Sequence, residues 1–396
     1  MLPINEGTSD HVLQNQHPCP KLQKLKLADL EMLEDISQGK YSGIPMCDLK
    51  DMEVDSFSRL THMRIARSGK LETLVVRNCN SLRSLVLPSN CFNLKKIEIS
   101  SCNILKEIST NPEQEKTDKN NLESILLENL EKLSSFSLDT REFPSLQKMR
   151  IVNCPMLETL PRNNYTKEDN ALNKHSTLVL FDDKEEDSQT GEGKMKMPPK
   201  LESLELADLP NMQLWKQEPQ IPVFRNLTLL KMMRCRSFET LFPIPVAQHL
   251  SVMKFLTLYG CVNMVQVLEG GGGNHERVFE KLETLVLKHL PSLTSFCEQE
   301  VDFGEFPELK MVRVEDVPKM NTFVKLALKT PKLSQVHVTY ITKFWLGDLN
   351  ETVKYLHKNH EKIKDEVWES DQSNTGHHTS TAESSSQSES RFKEAA

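Results

Sequence analysis

A solenoid of parallel strands is the fold this sequence predicts, and three observations predict it. Thirteen times along the 396 residues a lead residue, almost always Leu or Met, opens a frame of the form L-x-x-L-x-L-x-x-[C/L/V]. Successive frames start 22 to 29 residues apart, inside the roughly 20 to 29-residue period of leucine-rich repeats. Positions 4 and 6 of each frame are apolar and lie between mostly polar neighbours, the period-2 pattern of a strand buried on one face. One such unit cannot bury its apolar face alone, so consecutive units must stack. The chain therefore reads as a leucine-rich-repeat solenoid of the α/β horseshoe class, with a parallel β-sheet on its concave face.

In order, the frames begin at Leu22, at a weak copy on Leu49 (Met52, Val54, Phe57), and at clear copies on Leu71 (Leu74, Val76, Cys79) and Leu94 (Ile97, Ile99, Cys102). Those at Leu122 (Ile125, Leu127, Leu130) and Leu146 (Met149, Ile151, Cys154) follow, then a second weak copy at His175 (Leu178, Leu180, Asp183). The series closes with Leu201, Leu227, Met253, Leu282, Leu309 and Leu333. Past position 9 the apolar residues recur every third position, as in Cys79, Leu82, Leu85 and in Leu130, Leu133, Phe136. That spacing suits tight turns or 3₁₀ pieces, so the convex side is expected to be mostly irregular with short 3₁₀ or helical stretches. Pro155, Pro210, Pro291 and Pro318 follow position 9 and should end the strand. Phe143, Phe224, Phe279 and Phe306 stand three residues ahead of a frame and should stack as an aromatic spine under the convex side.

Residues 1–20 read as an irregular or disordered N-terminus and 21–347 as about 13 repeats, with polar insertions at 109–121, 161–174, 182–199 and 268–278. The segment 348–368 reads as a C-terminal helix and 369–396 as a disordered tail. Asp348 can cap that helix, Glu351 completes a D-x-x-E box, and Leu349, Val353, Leu356, Ile363 and Val367 recur on one face. Covering the last strand, it would block edge-to-edge association.

A net charge of −7 and scattered basic residues argue against nucleic acid as the main partner. Met1 to Pro20 has no cationic head before an apolar run, and no stretch reaches the roughly 18 to 20 apolar residues of a membrane helix. A cytoplasmic or nuclear location is expected. Of nine cysteines, five (Cys79, Cys102, Cys154, Cys235, Cys261) occupy position 9. Neighbours on adjacent strands could bridge sterically, but in a reducing compartment they should stay thiols.

The sequence offers no catalytic, cofactor-binding or metal-binding residues. His357, His360 and Glu361 lack the H-E-x-x-H order of a metalloprotease and read as a solvated helix face. No C-x-x-C pair suggests zinc, no nucleophile elbow or P-loop occurs, and Gly270 to Gly273 reads as a spacer.

What remains is the concave face, where positions 3, 5 and 7 point outward along roughly 58 Å of sheet, from about 4.8 Å per strand. That length fits a protein partner better than a metabolite. The early frames present Lys24, Lys26, Thr73, Val75, Arg77, Lys96, Glu98, Ser100, Lys148, Arg150 and Val152, polar with a basic lean. The later ones present Leu229, Lys231, Met233, Phe255, Thr257, Tyr259, Val286, Lys288, Met311 and Arg313. Aromatic, Met and Arg residues together are the composition of an interface core. The competing reading is that an inserted loop or the terminal helix covers this patch.

The lead-ins Phe143-Pro144-Ser145-Leu146 and Phe306-Pro307-Glu308-Leu309 add a family likeness. So do the phrase from Leu146 to Leu160, with its Cys154-Pro155 step, and the closing Asp348-Leu349-Asn350-Glu351-Thr352-Val353. Over about residues 20 to 368 the chain resembles the leucine-rich-repeat region of plant coiled-coil NB-ARC-LRR disease-resistance proteins. The resemblance implies a non-enzymatic protein-recognition module of innate immunity. Its ligand would be a pathogen effector or a host protein, and an NB-ARC protein could act in trans. No NB-ARC counterpart is expected within these residues, so nucleotide binding does not carry over. A substrate adaptor of a ubiquitin ligase and a nonfunctional fragment of a resistance gene remain the alternatives.

Overall fold

The computed structural model describes residues 22–29, 34–36, 48–65, 70–87, 93–110, 121–136, 145–157, 178–179, 200–213, 224–270 and 277–365. Its spine is a thirteen-stranded sheet in which the first twelve strands run parallel and the last runs antiparallel. The parallel strands run from Lys24–Ala28, Asp51–Asp55, Thr73–Arg77 and Lys96–Ser100 through Ser124–Glu128, Lys148–Val152 and Ser203–Ala207. Leu229–Met233, Phe255–Tyr259, Thr284–Lys288, Met311–Glu315 and the short Val336–His337 complete them, and Lys343–Phe344 closes the edge. The chain is a leucine-rich-repeat solenoid with few helices.

Each strand buries what the frame assigns to the inside. Leu74 and Val76, Ile97 and Ile99, Leu256 and Leu258, and Leu285 and Leu287 are all fully buried. Equivalent residues are paired strand to strand, Leu74 with Ile97 and Leu256 with Leu285. Position 9 is buried too, at Cys79, Cys102, Leu130, Cys154, Cys235 and Cys261.

The turn inward is made at position 8. Asp29, Ser56, Asn78, Ser101, Asn129, Asn153, Asp208, Arg234, His289 and Asp316 all have φ between 51° and 59° there, and Gly260 has 65°. A left-handed residue reverses the chain sharply enough to drop position 9 into the core, and Asn, Asp and Gly bear that conformation at least cost. Its N–H donates to the next strand's position 7 carbonyl: Ser56 to Arg77 at 3.1 Å, Asn78 to Ser100 at 3.1 Å, Arg234 to Tyr259 at 2.7 Å, His289 to Glu315 at 2.9 Å.

A β-turn follows, with Leu82 N–H donating to Cys79 O and Leu105 N–H to Cys102 O, both at 3.1 Å. The expected tight turn is therefore present, but beyond it the chain is extended. Asp35–Ile36, His62–Arg64, Ser84–Leu87, Glu107–Thr110 and Ser135–Phe136 form a second, five-stranded parallel sheet. Thr240–Pro243, Gln266–Glu269 and Ser295–Cys297 form a three-stranded one. The convex side is thus more regular than expected, because the spacing of three ends at position 12 and Leu85 and Leu87 resume an alternation of two. Within the repeats the described residues include one helix, Ile244–Gln248.

The frame at His175 is not a turn of the long sheet. Leu178–Val179 pairs with Met212–Gln213 off that sheet, and Lys148–Val152 pairs directly with Ser203–Ala207. A unit there would have had to bury His175 at position 1 and Asp183 at position 9, a desolvation cost that the apolar residues of the other frames avoid. The insertions 161–174 and 182–199, most of 109–121 and of 268–278, residues 1–20, Phe143 and the tail 369–396 lie outside the described residues.

Phe279 and Phe306 do meet, edge to face with ring centroids 6.4 Å apart. Phe296 joins both at 6.1 and 5.9 Å and stacks on Phe323 at 4.7 Å, so rings from the convex strand and from beyond it complete the spine.

At the C-terminal end, Leu349–Lys358 and His360–Ile363 are helical, interrupted at Asn359. Asp348 accepts from the Glu351 N–H at 2.7 Å, while the Glu351 carboxylate reaches Lys354 rather than back to the cap. Leu349, Val353, Leu356 and Ile363 are buried; Val367 lies outside the described residues. The long sheet's edge is closed by Lys343–Phe344, and the helix closes the core, against Val314, Val317, Met320 and Val338. Asn350 acts as a substitute strand: its Oδ1 accepts from the N–H of Phe323 at 3.1 Å and Val324 at 2.9 Å, and its Nδ2 donates to Leu326 O at 3.2 Å. Of the expected solvated face, His357 and Glu361 are exposed and His360 is half-buried. His357 Nδ1 donates to Pro318 O at 2.8 Å, and half-buried His360 places Nε2 3.5 Å from Asp316 Oδ1.

Ser101→Val should lower unfolding free energy by about 1–2 kcal/mol through its left-handed backbone, and Ser101→Gly should leave it within about 0.5 kcal/mol, both read by urea denaturation. Asn350→Ala should cost about 2 kcal/mol by orphaning two N–H groups, with faster hydrogen exchange at the Phe323 and Val324 amides.

Candidate protein-binding face

Strand pairing puts the ten later concave residues on one face of four adjacent strands. Leu229 lies beside Phe255; Lys231, Thr257, Val286 and Arg313 make a second row; Met233, Tyr259 and Lys288 make a third; Met311 faces Thr284. Phe255 is exposed, and the other nine are half-buried. All ten predicted positions are therefore brought together.

Tyr259 is the most heavily supported of them. Its ring has the Arg234 guanidinium 5.9 Å from its centroid on one side, the Lys288 ammonium at 5.8 Å, and the edge of the His289 ring at 5.3 Å. Arg234 Nε in turn donates to Asp208 at 2.6 Å, Lys288 pairs with Glu315 at 2.7 Å, and His289 Nδ1 lies 2.8 Å from Asp316. The Asp208 carboxylate raises the Arg234 pKa. Held on several sides, the phenol ring loses little rotamer freedom on contact with a partner, which lowers the cost of binding. Arg234 and His289 occupy position 8, where the left-handed backbone breaks the alternation of positions 3, 5 and 7 and sets the side chain on the rim, so the period of two does not mark them.

The early half differs from its expected basic lean. The weak frame at Leu49 contributes Asp51, Glu53 and Asp55, which the row of exposed residues had omitted. Lys24 pairs with Asp51 at 3.2 Å and Lys26 with Glu53 at 3.1 Å, and Lys96 reaches Glu98 at 2.7 Å. Arg77 bridges Glu53 and Glu98, and its hydrogen bond to Glu98 raises its pKa. Burial alone would raise the Glu98 pKa, but Lys96 and Arg77 outweigh it and hold it low. The Asn78 amide holds Asp55 below the usual carboxylate range. This half is a neutralised lattice of charges.

At the far end the lattice stops. Arg313 pairs in register with His337, and His337 with Lys343, on the same face. Tyr340, in the loop after the last parallel strand, places its ring 4.2 Å from the Arg313 guanidinium. Burial first, then Lys343 and Arg313, push the His337 pKa down. His337, Tyr340 and Lys343 follow the last frame in an irregular segment where no periodicity marks them.

Among the described residues no group of three or more His, Cys, Asp or Glu side chains could hold a metal ion, and no helix is long and apolar enough to cross a membrane. The five position-9 cysteines are free and buried. Burial pushes the thiols of Cys154 and Cys235 up to about 12 and that of Cys261 to about 11.

A family model described as "Plant disease resistance protein RPS2-like, leucine-rich repeats" matches residues 62–174 and 171–262, together just over half of the chain. A comparison with curated proteins finds no match.

The matched span contains all five of these cysteines. Cys154, Cys235 and Cys261 should resist iodoacetamide in the native protein at pH 8 and label fully in urea, as read site by site by mass spectrometry, because the thiolate is the reacting species.

Proposed function

The chain belongs to the leucine-rich-repeat family of plant RPS2-like disease resistance proteins, and from that premise we propose that it recognises a protein ligand on the concave face between Leu229 and Arg313. The family and the fold together make it a protein-interaction scaffold of plant defence. The finer reading is that Met233, Phe255, Tyr259 and Met311 supply the buried contact area. Lys231, Lys288 and Arg313 would then set orientation and charge selectivity. The ligand would be a pathogen effector or a host protein met inside the cell, and a nucleotide-binding protein of the resistance class would dock in trans.

One observation carries this reading. Four consecutive strands align two aromatic rings, four sulfur or branched apolar side chains and three cations on a single face. Such a set matches the aromatic and Met-rich, Arg-containing centre of interfaces, where a few residues supply most of the binding energy. No catalytic role is needed to account for any of them.

Affinity capture from plant-cell extract tests it, with the full chain as bait and Phe255→Ala with Tyr259→Ala as the paired variant. The variant should lose a captured effector or resistance-type protein, a cost of at least about 2 kcal/mol, roughly thirtyfold in affinity, while its circular dichroism stays native. Undiminished capture by a folded double variant would remove this face as the site.

A further inference from the structure

We propose that the C-terminal end of the concave face, formed by Arg313, His337 and Lys343, is a carboxylate-recognition site that receives an acidic, apolar-flanked segment of the protein partner. The inference rests on the concave face being the binding face and names the chemistry its last strands would select.

The first support is the charge pattern. Along the earlier strands, most cations of this face have a carboxylate opposite them: Lys24 with Asp51, Lys26 with Glu53, Arg150 with Glu205, Lys288 with Glu315. Arg313, His337 and Lys343 stand side by side across three strands with no such partner among the described residues. The nearby acids are already engaged. Glu315 holds Lys288, Asp316 faces His289 and His360, and Asp348 caps the terminal helix.

The second support is unmet hydrogen bonding. Arg313 Nε and His337 Nδ1 are both buried from solvent without a hydrogen-bond partner. That hydrogen-bonding capacity is not used within the fold, and a planar guanidinium in one row with an exposed ammonium matches the geometry of an incoming carboxylate. The third is the apolar frame. Tyr340 lies against Arg313 and is 64% exposed, the adjoining Ile341 is 79% exposed, and Leu346, past the last strand, is 51% exposed. Apolar side chains of that size, at the tip beside a charged row, suit a segment that alternates acidic and aliphatic residues. A polyanion without side chains to bury gains nothing from them.

Fluorescence anisotropy of the full chain with a rhodamine-labelled peptide of alternating Glu and Leu tests this, against the same peptide with every Glu replaced by Gln. The Glu peptide should bind and the Gln peptide should not. Lys343→Gln, at an exposed position that does not threaten folding, and Arg313→Gln should each weaken binding about tenfold, and Lys148→Gln, far along the same face, should leave it unchanged. Equal binding of the two peptides, or equal loss in Lys148→Gln, overturns the proposal. If the peptide fails while capture sensitive to Phe255→Ala and Tyr259→Ala persists, the binding face stands and only its carboxylate selectivity falls.

Discussion

From Asp29 to His289 the turns of this solenoid depend on one backbone constraint: the strand must end in a left-handed residue whose N–H donates to the neighbouring turn. Between Asp29 and His289 that donor reaches the position 7 carbonyl of the next strand at 2.7 to 3.2 Å. Each bond contributes only about 1 kcal/mol net, but bonds in this series lock the register of every strand to the next. A slip by one residue would turn Leu74 and Val76 outward and Val75 and Arg77 inward, burying a charge. The ladder thereby also fixes which side chains stand in rows on the open face.

Those rows explain why the two halves of the face differ without any change in fold. In the first half, acids and bases alternate down the rows and satisfy one another, as at Lys26, Glu53, Arg77 and Glu98. Exposed pairs of this kind contribute little stability, about 0–1 kcal/mol each. Their effect is on selectivity, since a partner gains little by displacing one member of a matched pair. In the second half the same row positions hold Phe255, Tyr259, Met233 and Met311, and the cations beside them support a ring rather than only a carboxylate.

The buried part of this design was legible because burial imposes a strict period. Positions 1, 4, 6 and 9 named the core, and by parity they named which residues face out, so all ten candidate residues fall on neighbouring strands. What was not legible depends on conformation more than on residue type. Position 8 is Asp, Ser, Asn, Arg, Gly or His, and its shared property is a positive φ that no hydropathy pattern records. The convex strands were hidden because the turn spacing of three overlaps the start of their alternation. The false frame at His175 arose from giving weight to Leu178 and Leu180 when positions 1 and 9 were polar. Tyr340 and His337 belong to the segment where the repeat ends, and periodicity is silent there.

Ending a solenoid poses two separate problems, and their solutions shape the C-terminal end of the face. The open end of the core is covered by the amphipathic helix, whose Asn350 also satisfies the exposed backbone at Phe323 and Val324. The open edge of the long sheet is a different hazard, because unpaired strand edges recruit other chains. A reversal at Thr339 to Thr342 brings back two residues, Lys343–Phe344, antiparallel to Val336–His337. Phe344 turns toward Tyr355 of the helix, with ring centroids 5.4 Å apart, and by alternation Lys343 must face the concave side. The same reversal lifts Tyr340 over Arg313. Closing the edge with so short a strand therefore sets a second cation in the row of Arg313 and His337 and an aromatic ring over the guanidinium.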